Sequence, residues 1–325
     1  GTGGTISGKS SKESDLSYES GCIDTSDLVS AIEGLEKIAD IYSETLFATG
    51  SENLGPRQWR ILAQKVEYLS AKSDVDGIVI THGTDTLEEA SFFLGLVCKS
   101  SKPVVLTAAM RPSNLLSADG PVNLFHAVLA AASPELRHHG LIVVMNGMVI
   151  PGWQIIKTDS ITLDSFHSYP GGASAKIVGD RLLVSESPNL SPILGQFNNY
   201  LKHNEDLPSV EILFLHAGFG DSRISDFFVN DYKGLVLAGF GGGTIPEQLV
   251  EIIADKANSG CNIVISSRVM HVTVLSETMT VVKSKNVFPS GFLNPQKSAL
   301  LLALALDARL KSKEVAELFK AFTIR

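Results

Sequence analysis

Two threonines lie in turns from which a hydroxyl could act as a nucleophile. Thr5 ends the run Gly1-Thr-Gly-Gly-Thr5, and Thr84 lies in His82-Gly-Thr84-Asp85. A threonine hydroxyl is a poor nucleophile until a base takes its proton, and a lysine can do so when burial or a nearby charge lowers its pKa. Lys157, in the mostly apolar stretch Trp153-Gln-Ile-Ile-Lys157, is a candidate base. Each feature also has an ordinary reading: Thr84 or Asp85 as a helix N-cap, and Lys157 as a solvated surface lysine. The glycines before Thr5 let a backbone approach a ligand closely. They depart from the dinucleotide fingerprint, which needs glycine where Ile6 stands and an acidic residue ending a second strand about 20 positions on. Asp24 sits instead in polar sequence, so no dinucleotide cofactor is expected.

These residues must be held by a sheet. Asp76–Thr81, Lys102–Thr107 and Leu141–Met145 are short apolar runs alternating with helical patterns, the signature of βα units with strands buried on both faces. A helix is expected over Thr86–Cys98, with Glu88 and Glu89 in its first turns, and another starts near Pro121. The loops Gly1–Gly8, His82–Asp85 and Ala108–Pro112 then fall beyond the carboxyl ends of parallel strands, where such sheets bind ligands. The small polar stretch after Thr5, running to Tyr18, has the composition of a lid. Gly1 follows no strand in the sequence, so a hydrophobic strand is expected to precede it in the natural product.

A polar segment from about Ser185 to Pro208 reads as a linker, giving domains 1–186 and 209–325 with 187–208 between them. The second part repeats the α/β pattern: strands over Glu211–Leu215, Gly234–Ala238 and Cys261–Ile265, and helices near 222–230, 245–258, 295–308 and 312–322. The fold class expected is α/β, a doubly wound, mostly parallel sheet in a large N-terminal domain with a smaller α/β C-terminal domain.

Composition excludes several functions. In 325 residues, 44% hydrophobic and 19% charged content rules out a disordered chain. A net charge of -8, with no basic patch, argues against nucleic acid as a partner. The longest aliphatic run, Ala299–Leu306, is far short of the roughly 20 residues that span a bilayer, so no membrane association is expected. Cys22, Cys98 and Cys261 form no CxxC pair, and neither a zinc site nor a disulfide framework is legible. Three scattered cysteines favour a reducing, cytoplasmic compartment, with the periplasm as the alternative if a leader was removed.

Taken together, Thr-Gly-Gly-Thr5-Ile, Gly50-Ser51-Glu52-Asn, Thr81-His-Gly-Thr84-Asp85-Thr-Leu-Glu-Glu, Ala109-Met-Arg-Pro-Ser, Ser117-Ala-Asp-Gly-Pro-Val-Asn123 and Phe292-Leu-Asn-Pro-Gln-Lys resemble the bacterial L-asparaginases, nearest to their type II branch. The likeness runs in one order along the whole chain. It implies an amidohydrolase that converts L-asparagine to L-aspartate and ammonia through a threonine acyl-enzyme, with no metal and no cofactor. It implies that Thr5 is the nucleophile and Tyr18 its lid partner, and that Thr84, Lys157 and Asp85 form a relay with the logic of a Ser-His-Asp triad. Ser51, Glu52 and Asp85 match positions that hold the substrate's α-carboxylate and α-amino groups, and Ala109 supplies a backbone carbonyl near the amide.

The same resemblance implies a homotetramer, a dimer of dimers with shared sites, in which Thr244 and Glu277 reach the neighbouring subunit's site. Departures bear on specificity: Glu52 stands where some members have glutamine, and Thr244 where others have asparagine or serine. A glutaminase-asparaginase of broader specificity is the alternative, and a tRNA-dependent amidotransferase subunit a more distant one. Ser73 and Ser100 occupy the regions of a disulfide found in periplasmic members, so that bridge is not expected here. Which threonine attacks first stays open.

Overall fold

The computed structural model describes residues 1–11, 17–184, 191–219 and 232–323. The helix expected near 222–230, much of the polar stretch after Thr5 and residues 187–190 of the expected linker lie outside them. The chain divides into two compact units, Gly1–Leu201 and Lys202–Arg325.

In the first unit, β1 (Lys9–Ser10) and β2 (Tyr18–Glu19) pair antiparallel beyond the glycine turn, and a short helix α1 (Thr25–Ser30) follows, capped by Asp24. Helix α2 (Pro56–Ser70) begins with proline, whose fixed φ suits a first helical turn, and buries Trp59, Leu62, Ala63 and Val66 at helical spacing. The apolar runs become β3 (Ile78–Thr81), β4 (Val104–Thr107) and β5 (Leu141–Met145), which pair in parallel register. Helix α3 (Leu87–Val97) leaves β3 and α4 (Gly120–Ala132) leaves β4. On one face, Val105, Ile142 and Val144 pack with Ala127 and Ala130 of α4. Leu106 and Val143, on the opposite face, are also fully buried, which explains why these strands show no polar alternation.

Beyond β5 the sheet changes character. Asn146 and Gly147, both with positive φ (50° and 71°), turn the chain into β6 (Met148–Pro151), antiparallel to β5. A separate hairpin, β7 (Ile155–Lys157) with β8 (Phe166–Ser168), follows, and β9 (Ala175–Val178) and β10 (Arg181–Val184) complete the main sheet. Among the described residues its order is β10-β9-β6-β5-β4-β3, so only the β3–β5 half is parallel. Residues 191–201, placed by composition in a linker, belong to the first unit: the Gly195 and Phe197 N–H groups donate to the carbonyls of Gly95 and Leu96, and Ile193, Phe197 and Tyr200 are buried.

The second unit is a four-stranded parallel sheet in the order β11 (Val210–Phe214), β12 (Gly234–Gly239), β13 (Asn262–Ser267), β14 (Val287–Pro289). Leu249, Ile253 and Ala257, one stripe of α5 (Glu247–Asn258), close its core with Leu235, Leu237, Ile263 and Ile265. Helix α6 (Pro295–Asp307), capped by the Asn294 side chain, packs on β11, β12 and β13, and α7 (Ser312–Lys320) follows. The strand Val287–Pro289 was not legible in the sequence. Among the described residues no helix is long and apolar enough to cross a membrane.

Candidate active site

The site gathers at the carboxyl ends of β3 and β4. The first turn is tied there by its backbone: the Thr2 N–H and hydroxyl both donate to the Thr81 carbonyl, at 3.0 and 2.8 Å, and the Gly4 N–H donates to the Thr49 carbonyl. Gly4, with φ +81°, lies against the next turn so closely that a Cβ on it would sit 2.3 Å from the Gly83 Cα. Two glycine backbones in contact therefore place Thr5 and Thr84, the residues that follow them, side by side.

Each hydroxyl has its own partner. Thr5, only 5% exposed, shares a hydrogen bond of 2.7 Å with the hydroxyl of Tyr18 on β2. Lys157 ends β7, and its Nζ donates to Thr84 Oγ1 at 3.0 Å and to Asp85 Oδ1 at 2.7 Å. The helix start supports this arrangement. The N-cap position is Thr86, whose side chain makes no capping bond; its hydroxyl donates to the Ser51 carbonyl, while the Asp85 N–H donates to Ser51 Oγ. Neither Thr84 nor Asp85 is a cap, so the ordinary reading of this turn gives way to an ion pair.

His82 is fully buried beneath the turn, with its Nδ1 2.8 Å from the Gly83 carbonyl. Because a carbonyl only accepts, Nδ1 carries the proton in that bond. Burial pulls the imidazole pKa down from 6.5 to about 4, the bond to Gly83 opposing it, so His82 is neutral at physiological pH.

The other expected residues separate into two groups. Ser51 is buried and in contact with the second turn, as described. Ala109 is buried in the loop after β4. Glu52 is exposed, with Oε1 accepting from Asn53 Nδ2. Thr244 and Glu277 are exposed and lie in the second unit, on loops at the carboxyl ends of β12 and β13; Thr278 Oγ1 donates to the Gly242 carbonyl at 2.8 Å and so ties the two loops together.

Sequence reasoning quoted Asp119 and Asn123 in a motif but gave them no task. Asp119 accepts from the Met110 and Arg111 N–H groups, and Asn123 donates to the Ala108 carbonyl and accepts from the Asn146 N–H. Together they fix the loop that carries Ala109. Asn114 bonds both the N–H and the carbonyl of Ser10, anchoring the hairpin that presents Tyr18. Only Asn123 left a signal, a polar side chain within the apolar helix start Pro121–Phe125; Asp119 and Asn114 lie in polar sequence. Among the described residues no three His, Cys, Asp or Glu side chains are grouped to hold a metal ion.

The site thus brings together two threonine turns, one hydroxyl bonded to a phenol and the other to a lysine–aspartate pair, at the parallel end of a mixed α/β sheet. The family model described as asparaginase, N-terminal, matches residues 1–190, and that of the glutaminase/asparaginase C-terminal domain matches residues 209–319. The chain is 34% identical over 321 residues to L-asparaginase 2 of Escherichia coli, covering 99% of this chain and 91% of that one. It is 33% identical over 320 residues to a glutaminase-asparaginase of Acinetobacter glutaminasificans, covering 98% and 97%. A crystal structure titled a probable cytoplasmic L-asparaginase from Campylobacter jejuni superposes with a TM-score of 0.89 at 33% identity, covering 98% of this chain and 97% of that one. This chain belongs to the asparaginase family.

Proposed function

We propose that this chain hydrolyses the side-chain amide of L-asparagine, giving L-aspartate and ammonia, with L-glutamine as a slower substrate. The observation that carries this reading is the pair of threonine hydroxyls on touching turns, each already hydrogen-bonded to a group able to move its proton. Thr5 Oγ1 attacks the amide carbon, and its proton leaves through the Tyr18 hydroxyl at 2.7 Å. Backbone N–H groups of the two turns face the oxygen that gains charge. The C–N bond breaks as the nitrogen takes up a proton and departs as ammonia. Thr84, oriented by Lys157 and Asp85, holds the water that attacks the ester carbon; the ester C–O bond breaks, one proton of the water passes to the leaving Thr5 oxygen, and aspartate is released with Thr5 restored.

Ser51, Glu52 and Asp85 hold the substrate's α-carboxylate and α-amino groups, and the Ala109 carbonyl lies near the amide. Thr244 and Glu277 serve the site of a neighbouring subunit in a homotetramer, with 209–325 acting as the domain that reaches across. The likeness to a glutaminase-asparaginase supports some glutamine turnover. Three free cysteines and the likeness to a cytoplasmic relative support the cytoplasm as compartment.

Ammonia release with L-asparagine, L-glutamine and no substrate tests the activity, and kcat/KM is expected to be higher for asparagine. Thr5→Ala and Thr84→Ala are each expected to lower kcat at least about 100-fold with the fold intact, because each removes an interaction made in the transition state. Near-normal turnover by Thr5→Ala would overturn the assignment of the nucleophile.

A further inference from the structure

Lys157 carries its ammonium on a four-carbon stem, and such a side chain reaches two acceptors at once only if its main chain is fixed. Among the described residues the strand that bears it, β7, pairs with β8 alone, which leaves its other edge to be satisfied elsewhere. Helix α3 fills that place. The backbone N–H of Lys157 donates to Glu88 Oε2 at 2.8 Å, and Glu88 is a 5% exposed carboxylate in the first turn of the helix. Three residues on, and so on the same helix face, Ser91 Oγ donates to the Gly152 carbonyl at 2.9 Å.

The same helix thus holds both ends of the segment from Gly152 to Lys157, and its lead-in residues are Thr84 and Asp85 themselves. All three members of the lysine–aspartate–threonine group are indexed to one rigid element. A buried carboxylate is expensive unless its charge is met, and here the start of α3 and a charge-assisted bond from Lys157 meet it. An acid needed only for the helix dipole could stand at the exposed surface; this one is turned inward onto the lysine strand.

We infer that Glu88 is a positioning residue for the reaction: its carboxylate holds the Lys157 main chain so that Nζ stays within reach of both Thr84 Oγ1 and Asp85 Oδ1. This rests on the proposed part played by Lys157. Glu88→Gln keeps an acceptor oxygen at the same reach, Glu88→Asp keeps the charge but withdraws it, and Glu88→Ala removes both.

The test is steady-state kinetics with L-asparagine for Glu88→Ala, Glu88→Asp, Glu88→Gln, Ser91→Ala and Lys157→Ala, each with its melting temperature. Glu88→Ala and Glu88→Asp are expected to lower kcat about 10- to 100-fold with KM within about twofold, and Glu88→Gln to recover most of the rate. Ser91→Ala, which loosens the far end of the segment, is expected to lower the melting temperature more than the rate. If Glu88→Ala does not fold, the contrast between Gln and Asp decides. The inference is overturned if Glu88→Ala and Glu88→Asp keep kcat within about twofold, if Gln is as impaired as Asp, or if every loss follows melting temperature. Inactive Lys157→Ala beside active Glu88→Ala sinks this inference alone; active Lys157→Ala sinks the reading of the site and the inference with it.

Discussion

At the scale of single residues, the site's charged pair stays in contact with water while its two threonines and its histidine are buried. Lys157 and Asp85, an ion pair at 2.7 Å, remain partly exposed, at 18% and 62%. His82, earlier in the same turn, has no exposure and no charge, and its Nδ1 donates to the Gly83 carbonyl. That arrangement has a consequence for stability. In the folded chain His82 takes up a proton only near pH 4, whereas in the unfolded chain it does so near 6.5. Between those values the unfolded state binds the extra proton, so the contribution of His82 is fully present above about pH 6.5 and is lost as pH falls toward 4. At about 1.4 kcal/mol per pKa unit, it is on the order of 3 kcal/mol. His126 and His139, whose pKa values are also lowered first by burial, act in the same direction. Replacing His82 by Gln is expected to flatten the fall in melting temperature between about pH 7 and pH 4.5, whatever it does to stability at neutral pH. An unchanged slope in that variant would place the acid sensitivity elsewhere.

At the scale of elements, the two threonine turns act as one unit because glycine backbones touch. A methyl group at Gly4 would come within 2.5 Å of the Gly83 nitrogen, so Gly4→Ala must push the turns apart, and its φ of +81° adds strain. Displacements of about 1 Å at reacting groups cost about 100-fold in rate, which is the loss expected for Gly4→Ala. Gly34 is the control: its φ is +92°, yet a Cβ there meets only the Phe125 ring at 4.0 Å. Gly34→Ala is expected to lower the melting temperature while leaving kcat unchanged, and equal losses of rate in both variants would refute the contact argument.

The same scale shows what the sequence made legible. β3, β4, β5, β12 and β13 were readable because burial on both faces leaves near-unbroken apolar runs, whereas β11 was readable from Ile212–Leu215 alone, its residues being part-buried and Phe214 exposed. The antiparallel half of the first sheet was not, although Asn146-Gly147, with both φ values positive, is a strong local hairpin signal that went unread. Serine and proline made 191–201 look like a linker, while Ile193, Phe197 and Tyr200 carried the packing. Within the site, Thr5, Thr84 and Asp85 were candidates by residue type and position in turns after strands, Lys157 by its apolar setting alone, and Ser51 only through the family resemblance. The inward turn of Glu88 was not, because its partner is a main-chain N–H 69 residues away and leaves no trace in residue type.

At the scale of the whole molecule, the open matter is whether one chain makes a complete site. Thr244 and Glu277 sit on joined loops of the second unit, exposed and at the strand ends where ligands bind such sheets. If those loops serve a neighbouring subunit, two defective chains can repair each other. Consider Thr5→Ala co-expressed with Thr244→Ala in equal amounts. In a mixed pair, one site lacks both residues, while the other combines an intact Thr5 with an intact Thr244 from its partner. Random pairing makes half the pairs mixed, and one of their two sites works, so the mixture is expected to recover about one quarter of wild-type activity per site. Each variant alone should be far below that level. No recovery above the separate variants would mean that each site is built from a single chain. Full activity of Thr244→Ala on its own would remove Thr244 from the site altogether.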